Sequence, residues 1–410
     1  MKLERPRGTR DFLPEEMKKR REMEKILRRI AESYGYGEIA TPTFEHVELF
    51  TLKSGESIVE EMYVFKDKSG RELALRPELT APVMRLYVNS CEVMPKPLRF
   101  YYFANCFRYE RPQKGRYREF WQFGVELIGS DSHLADAEVI MLAYEMLKAL
   151  KVEFKLEIGH VGIMRDVLKG IENSDRIMRL IDKNQIDELE KFMNDCKVDE
   201  KVKDRVFRLI ELKGDASILE KVNFAEKEIE RLKRIAEILD AAKVEYEFDL
   251  GIVRGLDYYT GVVFECYAPN LGAQKQICGG GSYELASLFG GQKTPATGFA
   301  IGFDRVYEVC NVDGEKIRTV FVVAFEDTYL DALKIAKMLR NSGFVAVIDV
   351  MERNLKKQLS YANDIKAEFA VLVGKNELEE GKVSVKDLKS GQQIDVPIKE
   401  LTNFLSSRTV

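Results

Sequence analysis

Histidine is scarce in this 410-residue chain, and the three present, His46, His133 and His160, are scattered. Such scatter supplies no histidine cluster for a metal or a proton relay, and core or surface roles are expected for each. Six cysteines (Cys91, Cys106, Cys196, Cys266, Cys278, Cys310) include no C-x-x-C pair. Reduced, mostly buried thiols are therefore expected in place of a zinc site or a disulfide framework. No apolar run approaches the roughly 20 residues needed to cross a bilayer, and the opening Met1-Lys2-Leu3-Glu4-Arg5 has no signal-peptide core. A cytoplasmic chain without a membrane partner is expected. Neither G-x-x-x-x-G-K-[ST] nor G-x-G-x-x-G occurs, so any nucleotide must be held by another architecture. An overall basic excess is missing too, the formal net charge being −4. Polyanion binding depends on local placement, however, and Arg108, Arg111, Lys114, Arg116 and Arg118 crowd into one short segment.

That segment is the most informative part of the chain. Residues 98–108 and 119–128 are rich in aromatic and β-branched side chains, which predicts two antiparallel strands joined by the basic loop. Period-2 alternation sends Trp121, Phe123, Val125 and Leu127 to one face and Gln122, Gly124 and Glu126 to the other. Ala104 and Cys106 share a face with Arg108. If the faces match, the hairpin offers a floor of small residues between an arginine, an amide and a carboxylate. A carboxylate so placed needs a partner, because burying an unpaired charge is costly. Taken alone, the loop reads more readily as a solvated hairpin tip; Gln122 and Glu126 argue for a site.

Elsewhere, 45% hydrophobic residues suffice for real cores, and the length allows two or three domains. Residues 15–34 read as an amphipathic helix with Met17, Met23, Ile26, Leu27, Ile30 and Tyr34 at helical spacing and Gly35 as its stop. Residues 38–50, with Pro42, follow as strand. Over 162–243 charge rises, and Ile229, Leu232, Ile235, Ala236 and Leu239 mark a helical stripe, which predicts a helical module inserted into the main domain. Strand character returns at 246–253 and 261–268. The run Gly279-Gly280-Gly281 is either a flexible turn or a place where backbone approaches a ligand closely. From 319 to 374, strand, helix, strand, helix and strand alternate, predicting a parallel α/β unit over 318–410.

Arg108 to Glu126 resembles the second signature motif of class II aminoacyl-tRNA synthetases, in the form found in histidyl-tRNA synthetases. Four other segments agree, in order. Arg5-Pro-Arg-Gly-Thr-Arg-Asp11 resembles that family's amino terminus, and Leu75-Arg-Pro-Glu-Leu-Thr-Ala-Pro82 its amino-acid-binding loop. Arg254-Gly-Leu-Asp-Tyr-Tyr259 resembles its histidine-specific motif, and the segment from Thr294 to Arg305 the third class II motif. The resemblance implies an α+β catalytic domain over 1–316, an antiparallel sheet with flanking helices, interrupted by the 162–243 insertion. It also implies a carboxyl-terminal anticodon-binding domain over 318–410 and, through the first motif at 15–50, a homodimer.

The implied reaction is ATP-dependent activation of L-histidine and its transfer to the 3′ end of tRNA(His). The attacking carboxylate is already ionised, so the site must position and neutralise charge more than it must move protons. By the family's pattern Arg108 and Arg254 would hold the α-phosphate and Arg305 the far end of ATP, with Mg2+ on the outer phosphates and no side-chain metal ligand assigned. Glu78, Thr80 and Gln122 match positions that bind the α-amino group; Glu126, Tyr258 and Tyr259 match those that bind the imidazole. Arg111, Gln113, Lys114, Arg116 and Arg118 would track the tRNA acceptor end. Leu79, Pro82 and the Gly281-Ser-Tyr-Glu284 segment depart from the bacterial pattern and look archaeal. Two rivals remain, a synthetase-like regulatory subunit of ATP phosphoribosyltransferase and a plain RNA-binding module.

Overall fold

The computed structural model describes residues 3–54, 56–111, 116–253, 258–272, 275–314 and 318–408, without the side chains of 56 and 57. The chain divides into two compact units, Met1–Gly314 and Glu315–Val410.

In the first unit, helix α1 (Pro14–Ser33) opens with proline, whose missing N–H would be unpaired there anyway, and buries Met23, Leu27 and Ala31. Strand β1 (Gly37–Glu38) and strand β2 (Phe44–His46) follow. The strand expected across 38–50 stops at His46, because the chain turns directly into α2 (Val47–Ser54). There Val47, Phe50 and Lys53 are buried at helical spacing, and that period overrides β-propensity. β3 (Val64–Lys66) and β4 (Glu72–Leu75) complete a small antiparallel sheet with β2, after which comes α3 (Thr80–Leu86). The predicted hairpin is β5 (Leu98–Phe107) and β6 (Glu119–Ile128). Next come α4 (His133–Ala149), β7 (Lys155–His160), α5 (Val161–Val167), α6 (Ser174–Asp182), α7 (Ile186–Asp195) and α8 (Glu200–Glu211). The unit ends with β8 (Lys213–Gly214), α9 (Glu226–Ala241), β9 (Glu247–Asp249), β10 (Tyr259–Tyr267), β11 (Gln276–Tyr283), β12 (Ala296–Gly302) and α10 (Phe303–Val309).

Among the described residues nine strands form one sheet in the order β1-β5-β6-β12-β11-β10-β7-β9-β8. It is antiparallel except where β1 meets β5 and β7 meets β9. One face of the central hairpin, with Tyr101, Phe123, Val125 and Leu127, belongs to the same core as α1 and α4. The opposite face forms the floor of a cavity.

Two expectations change here. The helices of 162–243 share one continuous core with the sheet, Leu232, Ile235 and Leu239 of α9 lying in the same cluster as Val139 and Ala143 of α4, and β8 extends the sheet edge. They are built into the domain more than they stand apart from it, because the α9 stripe is buried against α4. The glycine run lies inside β11 and forms no turn. A Cβ on Gly280 would sit 2.2 Å from the Gly298 carbonyl oxygen, so the close approach these glycines allow is between adjacent strands.

The second unit contains β13 (Thr319–Val323), α11 (Tyr329–Asn341), β14 (Val345–Ile348), α12 (Leu355–Asp364), β15 (Phe369–Leu372), α13 (Lys375–Glu379), β16 (Lys382–Asp387), β17 (Gln393–Pro397) and α14 (Leu401–Ser407). Its sheet order is β14-β13-β15-β16-β17. The first three strands are parallel as expected, while β16 and β17 join antiparallel, so the sheet is mixed. The reason is local: β16 follows β15 after one short helix and pairs with β17 as a hairpin, with no long crossover to turn either strand parallel. Val320, Val322, Leu339, Val371, Val383 and Leu401 give this unit a core of its own.

Candidate active site

The cavity encloses about 450 Å³ and is walled by β6, β10, β11, β12, the end of α2 and the starts of α3 and α10. Its polar side chains sort into two ends.

At one end stand Arg108, Arg116 and Arg305. Arg108 leaves β5 and donates from Nε to the Pro77 carbonyl at 3.0 Å, with its guanidinium 5.2 Å from the Phe120 ring centroid. Arg305, on the first turn of α10, donates to the Gln276 carbonyl at 2.8 Å. Burial, reinforced by the Arg116 and Arg108 charges, weakens its hold on its proton. Three guanidinium groups that repel one another in a half-buried wall make a receptor for a polyanion. Arg116 lies 3.1 Å from Glu110 Oε2, an ion pair without hydrogen-bond geometry. Among the described residues both Arg116 Nε and Glu110 Oε2 are buried with no hydrogen-bond partner.

At the other end Glu126 is 1% exposed. Tyr283 donates to its Oε2 at 2.6 Å and Tyr102 to its Oε1 at 3.4 Å. Burial is the main force pushing this carboxyl up from its ordinary 4.5 to about 7; Glu78 adds to the shift, while hydrogen bonds from Tyr283 and Thr80 and the Lys53 charge oppose it. Gly298 faces Glu126 across β12, where a Cβ would lie 2.1 Å from Glu126 Oε2, so glycine leaves the carboxylate its room. Tyr258 stacks on Tyr259 with centroids 4.5 Å apart and meets the Tyr283 ring edge-on at 5.8 Å. Glu78 accepts the Thr80 N–H at 2.8 Å and the Ala81 N–H at 3.1 Å, satisfying the start of α3, and pairs with Lys53 at 2.9 Å. Gln122 accepts a hydrogen bond from the Cys106 thiol at 3.4 Å.

One carboxylate ties the arginine end to the rest of the unit. Asp304, immediately before Arg305, is bound by Arg10 at 2.5 Å and Arg20 at 2.6 Å, and accepts the Trp121 N–H at 2.6 Å. The Arg10 guanidinium also lies 3.5 Å from the Tyr117 ring centroid, and Arg118 N–H bonds the Gly8 carbonyl at 2.8 Å. The amino-terminal segment thus clasps the outgoing side of the basic loop.

The structure therefore brings Glu78, Thr80, Arg108, Gln122, Glu126, Tyr258, Tyr259 and Arg305 to one cavity. Arg254, Gln113 and Lys114 lie outside the described residues. Arg111 is exposed, whereas Arg118 is half-buried, spent on the Glu110 carbonyl at 3.2 Å and the Tyr109 ring. Arg116, grouped by its loop position with the acceptor contacts, stands in the arginine wall. The floor of small residues is only partly there: the Tyr102 ring fills the space above Gly124, where a Cβ would come within 2.4 Å of it. Lys53, Tyr102, Glu110, Tyr283 and Asp304 are site residues that sequence reasoning missed. Tyr102 could have been found, since it shares alternation parity with Ala104 and Cys106; Lys53 carries no local signal.

Comparison with known proteins relates the chain to one family. Residues 8–306 match the sequence model of the histidyl-tRNA synthetase family, and residues 319–408 that of the anticodon binding domain. The chain is 61% identical over 408 residues to the histidine–tRNA ligase of Archaeoglobus fulgidus, covering 99% of this chain and all of the relative. A crystal structure of Staphylococcus aureus histidyl-tRNA synthetase superposes with a TM-score of 0.74 at 29% identity, covering 98% of this chain and 99% of that one. A Bacillus halodurans structure described as an ATP phosphoribosyltransferase regulatory subunit/histidyl-tRNA synthetase does so with a TM-score of 0.80 at 28% identity, covering 91% and 99%.

Proposed function

We propose how the cavity performs the ligase reaction from one premise, that the chain belongs to the histidyl-tRNA synthetase family and is a histidine–tRNA ligase. The observation that carries the proposal is the pairing, in one cavity, of an arginine wall with a buried carboxylate set among tyrosines. The triphosphate of ATP lies along Arg108, Arg116 and Arg305, with Arg254 added on the strength of its motif. The amino acid lies at the far end. There Glu78, Thr80 and Gln122 offer a carboxylate, a hydroxyl and an amide oxygen to the α-ammonium. Glu126, braced by Tyr283, accepts a ring N–H, and Tyr259 and Tyr258 wall the imidazole. A site that bonds the polar atoms of a ring rejects substrates lacking them, because its own buried groups are then left unpaired.

Attack of the histidine carboxylate on the α-phosphorus breaks the bond to pyrophosphate and requires no base. The arginines hold the phosphate oxygens in line and neutralise the charge that moves onto the leaving group. Mg2+ enters as the counterion of ATP. Among the described residues no cluster of three ligands could hold a metal ion, but Glu110 and Glu265 line the wall and could supply the one or two carboxylates that a phosphate-bound Mg2+ uses. The ribose hydroxyl of the tRNA end then attacks the mixed anhydride and releases AMP, with Arg111, Gln113 and Lys114 beside the acceptor phosphates and Arg118 bracing the loop through Glu110 and Tyr109.

We further propose a cytoplasmic homodimer. Phe44, Leu52, Val64 and Phe65 are exposed on the small sheet and α2, next to the cavity-forming elements, and suit such an interface. Sedimentation at micromolar concentration is expected to give twice the chain mass. Histidine-dependent exchange of pyrophosphate into ATP tests the site: exchange is expected with histidine alone among the amino acids, whereas a synthetase-like regulatory subunit that charges no tRNA would show none.

A further inference from the structure

Lys53 is the most deeply buried cation in the cavity wall, its side chain 2% exposed on the last turn of α2. Lysine is almost never buried without a partner, and this one has two. Its ammonium is 2.9 Å from Glu78 Oε2 and 4.2 Å from the centroid of the Tyr258 ring, within cation–π range. Tyr258 stacks on Tyr259 and meets Tyr283, and Tyr283 donates to Glu126. A continuous set of contacts therefore runs from Glu78 to Glu126, with Lys53 at its turning point.

We infer that Lys53 is a positioning residue for the amino acid: its ammonium fixes the Glu78 carboxylate and the Tyr258 ring relative to one another, setting the spacing between the group that meets the α-ammonium and the wall that meets the side chain. The inference rests on reading this end of the cavity as the histidine pocket. Two features argue for more than packing. Glu78 already holds two N–H groups at the start of α3, so its carboxylate is oriented from the α3 side while Lys53 pairs with it from the other. Glu126 lies close enough to feel the same ammonium, so one charge balances the two carboxylates at this end. In the opposite role Lys53 would occupy Glu78 and yield to the substrate's own ammonium, and neutralising it would tighten histidine binding.

The test is calorimetric titration of histidine and exchange kinetics on the full chain as wild type, Lys53→Met, Lys53→Gln and Lys53→Arg. In Lys53→Met, or in Lys53→Gln should the methionine variant unfold, histidine affinity is expected to fall about tenfold or more while the KM for ATP stays within about twofold. Lys53→Arg, which keeps the charge, is expected to recover most of the loss. Unchanged or tighter histidine binding in the neutral variants overturns the inference, and so does an equal rise in the KM for ATP, the mark of a cavity merely disordered. Wild-type protein that binds ATP but no histidine overturns the pocket reading itself, and is told apart because it needs no variant.

Discussion

Glu126 is the buried carboxylate of the end proposed to receive the amino acid, and its titration makes the first prediction. Its carboxyl is raised by burial to about 7, so the folded chain takes up a proton there between its ordinary 4.5 and 7, where the unfolded chain does not. Stability from this group is therefore full below 4.5 and lost as pH rises through 7. Glu126→Gln removes that cost. The variant is expected to be more stable than wild type at pH 8, by about 3 kcal/mol at most, with the gap closing at pH 5, as read by denaturant melts. Histidine binding moves the other way: in wild type it should weaken as pH falls below 7 and the carboxylate is lost, and in Glu126→Gln it should be weak throughout. Gln122 and Glu126 were legible in the sequence because one strand carries both and alternation alone puts them on one face. Tyr283 and Lys53 were not, since each arrives from an element far along the chain and only the fold makes them neighbours.

Among elements, the register of β12 against β6 matters most. It places Gly298 opposite Glu126, and the missing side chain is what the carboxylate occupies. Gly298→Ala is expected to cost about 1–3 kcal/mol through overpacking and to abolish histidine-dependent exchange with ATP binding retained, which equilibrium binding of the nucleotide would report. Full exchange in that variant would mean that the pocket opens elsewhere. The hairpin, α1 and the alternating elements after residue 319 were all legible, because long periodic segments declare their type. The helices of 162–243 were legible as helices but not as to place. Arg231 of α9 binds Asp136 of α4 at 2.6 Å, and Asp136 also accepts from Ser282 of β11 at 2.8 Å, so a buried charge fastens this segment to the catalytic sheet. No periodicity announces such a bond. Antiparallel β16 and β17 were missed because strands of that length look alike in either direction.

For the whole molecule, the two units have separate cores, which lets their contributions be tested apart. Removing residues 315–410 is expected to leave histidine-dependent exchange largely intact and to reduce charging of tRNA about a hundredfold or more, since one of two linked contacts with the nucleic acid is gone. Parallel losses in both assays would argue against a second unit devoted to RNA. Charging, unlike exchange, should fall steeply with added salt. Neither the division of labour nor the net charge of −4 is at odds with this, because the cations that matter are gathered along one loop and one wall.

Asp304 has a practical consequence for anyone handling this protein. Its partners include Arg10, so a residue near the start of the chain is tied to the neighbour of Arg305 at the arginine end of the cavity. Trimming the start through Arg10 would therefore cut a tie to the cavity wall, and an inactive preparation shortened there should be checked at its leading residues before its pocket is blamed.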